Sequence, residues 1–174
     1  MAISGAIYIG SQSKMVPYVI GTDTLGRINF VGLPQAQALD ERSVQAFLAD
    51  WINHHRSVVT DKLVQMQFIE KTYAIIAKGS PMKTLFDQWY TVGHDPFVRA
   101  QSMSVSVEVE SVLKLSGQSY QIEWQEKPID SRGQSLVPER FRAIVSLEKK
   151  EVDHHNVLSN PLGIYLTSFS TQRI

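Results

Sequence analysis

The stretch from Ser104 to Leu115 constrains the fold of this chain more than any other, because its side chains alternate between apolar and polar. A strand sends successive side chains to opposite faces, so this period of two predicts one aliphatic face and one hydrated face. Such a pattern is typical of an antiparallel sheet with a single buried side. We expect this long strand to lie inside the sheet, with partners along both edges. The residues on its apolar face are Val105, Val107, Val109, Leu113 and Leu115, and only Ser111 and Val112 break the alternation.

Three amphipathic runs precede this strand, and each starts at a capping residue: Asp40, Asp61, and Ser80 followed by Pro81. Apolar residues spaced three and four apart predict a helix with one buried stripe. We predict that the second helix ends at Gly79. The expected stripes are Val44, Phe47, Leu48, Trp51 and Ile52 in the first helix, Leu63, Met66, Ile69, Tyr73 and Ile76 in the second, and Met82, Leu85, Phe86 and Trp89 in the third.

Further strands follow the long one. Residues 120–125 and 141–147 alternate in the same way, and residues 164–169 are again extended in character, while two prolines and a glycine predict a loop over residues 127–138. Helices first and strands afterwards predict an α+β fold with helices on an antiparallel sheet of about four strands. Residues 16–20 and 27–31 predict a separate or edge hairpin, because Pro17 cannot donate to a ladder.

The sequence Asn160-Pro161-Leu162-Gly163 carries the favoured residues of a type I turn. The Asn side chain can bond backbone two residues further on, and Pro fixes φ, so the chain reverses at small entropic cost. The turn is expected to aim the last strand, which contains Tyr165, back into the sheet.

Composition excludes several classes of function. Seventeen basic and seventeen acidic residues cancel, which argues against a nucleic-acid-binding domain, since such a domain needs a clustered basic surface. The absence of cysteine removes disulfides and thiolate sites. The pairs His54-His55 and His154-His155 point their neighbouring side chains in different directions, so we predict exposed histidines and no metal site.

An ordered set of motifs resembles the inner-membrane assembly factors of bacterial type IV secretion, in particular those of conjugal transfer systems. The central motif is Asn160-Pro161-Leu162-Gly163-Ile164-Tyr165-Leu166, which is similar to the family signature Asn-Pro-x-Gly-aliphatic-Tyr-aliphatic. The chain departs from the family pattern at Gly21 and Thr171. The other matching stretches are Gly10 to Ser13 running into Val16 to Ile20, Asp23 to Gly26, Val107 to Val109 with Val112, and Trp124 to Glu126.

The resemblance implies a cone-like fold similar to nuclear transport factor two and a scaffolding role without catalysis or cofactor. It also implies a single-pass protein of the inner membrane. Residues 1–15 would be the end of the transmembrane segment and a linker, and residues 16–174 a single periplasmic domain. From the residues alone, the apolar stretch 2–10 could equally be a tail or a short buried segment. The implied partners are core-complex, pilus and ATPase components, with self-association into a homodimer or higher oligomer and no direct nucleic acid. In that role Asn160, Pro161, Gly163 and Tyr165 would serve assembly.

The alternative is a ligand-binding module or an isomerase-like enzyme, because cone-shaped folds often hold a pocket. A carboxylate with a raised pKa could act there as a general base. The candidates are Asp61, Asp87, Tyr73 and Tyr90. Helix-surface carboxylates and tyrosines at the edge of the core explain the same residues more simply.

Overall fold

A computed structural model of the chain describes residues 19–22, 28–32, 40–152 and 157–174, the first two ranges as backbone only. The chain divides into two units, Met1–Ala38 and Leu39–Ile174. Residues 1–15, Pro17, and the pair His154 and His155 lie outside the described residues, so the sequence predictions made for them stay predictions.

The first unit contains the hairpin predicted from the sequence. Strand β1 (Val19–Thr22) pairs antiparallel with β2 (Ile28–Gly32), and the two form a sheet of their own.

The second unit has helices first and strands afterwards, as predicted. Its sheet is antiparallel throughout, in the order β3-β4-β5-β6. The elements in chain order are α1 (Glu41–Arg56), α2 (Lys62–Tyr73), α3 (Pro81–Thr91), α4 (Pro96–Arg99), β3 (Met103–Ser116), β4 (Ser119–Asp130), β5 (Glu139–Lys149) and β6 (Ile164–Arg173). Among the described residues, no helix combines the length and the apolarity needed to cross a bilayer.

The long alternating strand, β3, is an edge strand, so the prediction that it lies inside the sheet is wrong. It pairs with β4 along one side. Along the other side, Val58 and Val105 exchange two backbone hydrogen bonds, with N···O distances of 3.0 and 2.8 Å. The side chains of Gln45 and Asn53 on α1 donate to carbonyls of the same edge. Helix α1 therefore occupies the place where the sequence pattern predicted a strand.

A bulge in β3 also reverses its alternation. Val109 pairs with Trp124 and Ser111 with Glu123, so Glu110 is the extra residue. An extra residue moves every later side chain to the opposite face. Val112 consequently packs against the core, whereas Leu113 and Leu115 are 52% and 50% exposed.

The predicted helix caps are confirmed, but only part of the predicted helix packing is. Asp40, Asp61 and Ser80 accept hydrogen bonds from the first turns of α1, α2 and α3. The stripe of α1 is in the core, and so is Phe86 of α3, while Leu85 is exposed. Helix α2 ends at Tyr73, six residues before Gly79.

Helix α2 buries polar residues where an apolar stripe was predicted. Leu63 and Met66 are exposed, and Gln65 and Thr72 are buried. Gln65 accepts the Val59 N–H at 2.9 Å, and Trp51 donates its indole N–H to the Thr72 carbonyl at 3.1 Å. Gln65 joins α2 to the segment after α1 through its polar side chain. Thr72 contacts α1 through its backbone carbonyl, and its hydroxyl donates to the Phe68 carbonyl within α2.

Two further predictions are corrected near the sheet. Strand β4 continues through Pro128 to Asp130, so the predicted loop is limited to residues 131–138. The one-turn helix α4, capped by Asp95, was not predicted.

Candidate functional site

The predicted turn, residues 160–163, comes directly before β6. The buried side chain of Asn160 organises it. Gly163 donates its N–H to the Asn160 carbonyl at 3.2 Å, which closes the turn. The Asn160 amide is 1% exposed. Its oxygen accepts the Ile164 N–H at 3.1 Å, and its nitrogen donates to the carbonyls of Ile164 and Ala74 at 2.9 and 3.3 Å. The side chain thus bonds backbone four residues on, not two, and also fastens the turn to the segment after α2.

Gly163 sits where a side chain has no room. Its φ is +61°, in the region that favours glycine. A Cβ added there would lie 2.4 Å from the carbonyl oxygen of Lys150, whose N–H donates to the Gly163 carbonyl at 2.8 Å. Close approach of the two backbones therefore requires glycine, whereas Pro161 is exposed and contributes its fixed φ.

The turn places the first residues of β6. Ile164 and Leu166 are buried in the core, and Leu166 donates its N–H to the Ile75 carbonyl at 2.8 Å. Tyr165, between them, points to the other face, where the ammonium nitrogen of Lys150 lies 5.3 Å from its ring centroid. These contacts show what the four predicted residues do in the fold, while their role in assembly stays a prediction.

An open groove of about 930 Å³ runs beside the turn, lined by Tyr73, Lys83, Tyr165 and neighbouring residues. Tyr73 donates its hydroxyl to Asp87 at 2.6 Å, and Lys83 donates to the same carboxylate at 2.5 Å. The bonds from Lys83 and Tyr73 lower the pKa of Asp87. A general base at neutral pH needs the opposite shift. Burial, followed by the bond to Asp87, raises the pKa of Tyr73.

The other two candidates for catalysis also have structural roles. Asp61 is exposed and caps α2 through the N–H groups of Leu63 and Val64. Tyr90 lies against His55, and burial raises the pKa of its hydroxyl to about 12. The structure places Tyr73 and Asp87 together, Tyr90 stacks on Tyr73, and Asp61 serves a different helix end. Among the described residues, the four do not form a buried acid–base pair.

Sequence reasoning missed a buried ion pair between the last turn of α1 and β4. Arg56 donates its Nε–H to Glu126 at 2.6 Å, and both side chains are less than a tenth exposed. Trp124 donates its indole N–H to the same oxygen at 3.1 Å. The guanidinium carbon lies 4.9 and 5.0 Å from the ring centroids of Trp89 and Phe141. Two sequence signals could have indicated that these side chains face the core. Arg56 is four residues after Ile52, which continues the buried stripe of α1, and Glu126 is two residues after Trp124, which places it on the same face of β4.

His55 is also buried, at 3% exposed, so the prediction of exposed histidines is wrong for it. Its ring stacks on Trp51 at 5.6 Å between centroids, and its Nδ1 lies 3.2 Å from the Tyr90 hydroxyl. Burial lowers its pKa well below the usual value, and the neighbouring charges of Arg56 and His94 act in the same direction. Within the described ranges, no three acidic or histidine side chains come close enough to hold a metal ion.

Comparisons with known proteins agree on one group. Residues 1–173 match the family described as VirB8 protein. The chain is 34% identical to the conjugal transfer protein TrbF of Rhizobium radiobacter, over 97% of this chain and 79% of that protein. The VirB8 protein of Agrobacterium tumefaciens superposes with a TM-score of 0.67 at 18% identity, covering 81% of this chain and 96% of that one. A TrwG component of a type IV secretion system from Bartonella birtlesii gives 0.65 at 15% identity, covering 79% and 94%.

These matches confirm two predictions from the sequence. The motif resemblance to conjugal transfer proteins is confirmed by the curated relative, TrbF. The α+β fold with helices on a four-stranded antiparallel sheet, similar to nuclear transport factor two, is confirmed by the superpositions. At identities below a quarter, the superpositions describe the fold alone.

Proposed function

The chain belongs to the VirB8 family and is a component of a type IV secretion system of the conjugal transfer kind, and we propose that its part there is scaffolding without catalysis. The observation that carries this is a family match over residues 1–173 together with a curated conjugal transfer relative that aligns with nearly the whole chain.

The chemistry of the groove supports scaffolding over an enzymatic role. Asp87, the carboxylate bonded to the lining residues Tyr73 and Lys83, is half-buried and has a lowered pKa. Such a group stabilises a helix surface and is a weak base at neutral pH. The buried Glu126 is engaged by Arg56 and Trp124, so it has the contacts of a structural ion pair.

We assign residues 16–174 to the periplasm, with an anchor in the inner membrane whose end, together with a linker, lies in residues 1–15. The family and the absence of cysteine are compatible with this location. In this arrangement the domain contacts core-complex, pilus and ATPase components through protein surfaces, self-associates, and does not bind nucleic acid directly, in line with its balanced charge.

Within the scaffold, the turn of Asn160, Pro161 and Gly163, with Tyr165 after it, fixes the position of β6 for assembly. The support is geometric. Asn160 bonds to Ile164, Lys150 bonds to Gly163 just before the strand, and Ile75 bonds to Leu166. A shift of the turn would move the whole edge strand relative to its partners.

The test is complementation of a conjugative element that lacks this gene. We expect the natural chain to restore DNA transfer, Gly163→Val to fail, and the double variant Tyr73→Phe with Asp87→Asn to restore it fully. The last variant removes the Tyr73 hydroxyl at the groove and the Asp87 carboxylate that it bonds to, and it keeps the shape of both side chains.

Three results would contradict the proposal. Transfer that does not need the chain would refute the secretion role, and normal transfer with Gly163→Val would refute the role of the turn. Loss of transfer by the double variant, with normal protein level and fold, would favour the enzyme.

A further inference from the structure

Another cavity, of about 340 Å³, opens at the end of the sheet where β3 and β5 begin. It shares no lining residue with the groove beside the turn, and the function proposed above does not use it. Its lining combines a few charged side chains with apolar walls. The walls are Met103, Val105, Pro128, Leu136 and Val137.

The cavity has three charged lining residues, and two of them are already paired. Glu126 forms the buried ion pair with Arg56, and Glu139 forms an ion pair with Arg173 that is 2.7 Å long. The third, Arg99 on α4, is half-buried, and no described carboxylate forms an ion pair with it. Burial lowers the pKa of its guanidinium, but an arginine stays charged at neutral pH. The cavity therefore holds one positive charge that its glutamates do not neutralise.

The loop on the apolar side of the cavity is held in place by hydrogen bonds. Asp130 accepts the N–H groups of Arg132 and Gln134 at 2.8 and 2.9 Å, and its carboxylate also pairs with the Arg132 side chain. Leu136 donates its N–H to the Pro128 carbonyl at 2.9 Å. The carboxylate of Asp130 is thus used within the loop, and the wall of the cavity is preformed. A preformed wall lowers the cost of ordering when a ligand binds.

Apolar surface continues outside the mouth of the cavity. Leu136 and Val137 are 41% and 79% exposed, and Val98, next to Arg99 on α4, is 60% exposed. Exposed aliphatic side chains beside a pocket are typical of a binding surface. A small ligand confined to the cavity would leave most of Val137 in water, so a longer ligand matches this surface better.

We propose that this surface binds an extended peptide segment of another protein, whose carboxylate side chain pairs with Arg99 and whose aliphatic side chains pack on Leu136 and Val137. An extended peptide points residues i and i+2 to the same side, so an acidic residue with aliphatic residues at that spacing offers both contacts. The carboxylate supplies the negative charge that the cavity lacks, at a half-buried site where a charge-assisted hydrogen bond is strong. The inference rests on the proposed scaffolding role and names one surface through which that role is carried out.

Peptide titration tests the charge contact. The probe is the peptide acetyl-Leu-Ser-Glu-Ser-Leu-amide, added to the isotope-labelled 174-residue chain and followed by the NMR shifts of backbone amides. We expect the shifts to cluster at residues 99–105 and 126–139. The same peptide with glutamine in place of glutamate should bind at least about fivefold more weakly. Arg99→Gln should remove this preference, whereas Arg132→Gln, which changes an exposed arginine of the neighbouring loop, should keep it.

Two valines test the apolar contact. Val137→Ser should weaken binding of the glutamate peptide about threefold, because it removes apolar surface from the contact. Val92→Ser is the matched control, since Val92 is similarly exposed, at 71%, and does not line the cavity. Circular dichroism of both variants shows whether the fold is kept.

DNA transfer tests the surface in the assembled system. Arg99→Glu reverses the charge at the site and should lower transfer at least about tenfold, while Arg132→Glu should leave it normal. Val137→Ser repeats the test with a variant that keeps every charge of the cavity, and it should also lower transfer. The natural chain is measured alongside. If it does not restore transfer, the proposed function fails; if it does and Arg99→Glu transfers normally, only the binding surface fails.

Five results would overturn the inference: no shifts at the residues around the cavity, equal binding of the glutamate and glutamine peptides, a loss of affinity in Val92→Ser as large as that in Val137→Ser, displacement of the peptide by inorganic phosphate, or normal DNA transfer with Arg99→Glu. Displacement by phosphate would identify a simple anion site in place of a peptide surface.

Discussion

The two edges of the sheet are treated differently by the chain. The edge of β3 is fastened by α1 and the segment after it: Val58 bridges to Val105, and the amides of Gln45 and Asn53 bond to carbonyls of Val112 and Val107. The edge of β6 is fastened at its start by the turn and Ile75, and beyond Leu166 it is open within the described residues.

The difference shows which edge of the sheet can bind a partner without loss of stability. A closed edge belongs to the fold, so substitutions there should cost stability. An open edge belongs to the surface, so substitutions there should leave stability unchanged and alter association. Unfolding of every variant is measured at one protein concentration, because self-association would add to the measured stability.

The largest effect is expected from Arg56→Ala, at the end of α1 where the chain turns toward β3. The variant leaves Glu126 buried without its partner, which costs about 3–5 kcal/mol in comparable cases. Urea unfolding measures the loss. The matched control is Arg132→Ala, because that arginine is exposed and pairs with Asp130 at the surface, where an ion pair contributes less than about 1 kcal/mol. Equal losses in the two variants would show that the buried pair does not hold this end of α1.

This same region shows how far the sequence could predict the fold. Periodicity and caps predicted the first three helices, the four strands and the turn, because those signals are local. Periodicity could not reveal that Glu110 is a bulge, and one extra residue exchanged the positions of Val112 and Leu113. Periodicity also could not show that β3 is an edge strand, because side chains of α1 can bond to the same carbonyl groups of β3 that a neighbouring strand would. Local patterns could indicate that Arg56 and Glu126 each face the core, but the two residues are 70 positions apart, so no local pattern could pair them.

The turn gives the second-largest effect. Gly163→Val should lower the free energy of unfolding by about 3 kcal/mol or more, through strain at positive φ and collision with the Lys150 carbonyl. Gly117→Val separates the two causes, because Gly117 also has positive φ but nothing lies within 4 Å of its added Cβ. It should therefore lose only the strain, about 1–3 kcal/mol. If both variants lose the same amount, close packing of the turn against residue 150 is unimportant.

His55, buried on α1 beside the closed edge, should make the free energy of unfolding decrease at acid pH. Burial lowers its pKa in the folded chain, while the unfolded chain has the usual value near 6.5. As the pH falls below about 6.5, the unfolded chain therefore binds a proton that the folded chain resists, and stability decreases by at most about 1.4 kcal/mol per pH unit.

The variant His55→Phe should reduce this decrease between pH 7 and pH 5, measured by urea unfolding at several pH values. His54, whose pKa is also lowered by burial, provides the comparison: His54→Gln should reduce the slope less, because that ring is only half-buried. A slope unchanged by His55→Phe would place the acid sensitivity elsewhere.

The smallest effects compare the two edges directly. Asn53→Ala removes the bond from its amide to the Val107 carbonyl, 3.2 Å long, and should cost about 1 kcal/mol of unfolding free energy. Gln172→Ala, on the exposed surface of β6, should change stability by less than about 0.5 kcal/mol. Urea unfolding of both variants resolves this difference. If Gln172→Ala costs as much as Asn53→Ala, then β6 is fastened along its length and its edge is as closed as that of β3. If neither variant changes the free energy of unfolding, then the bond from the Asn53 amide does not stabilise the edge of β3, and the bridge from Val58 to Val105 is the contact that closes it.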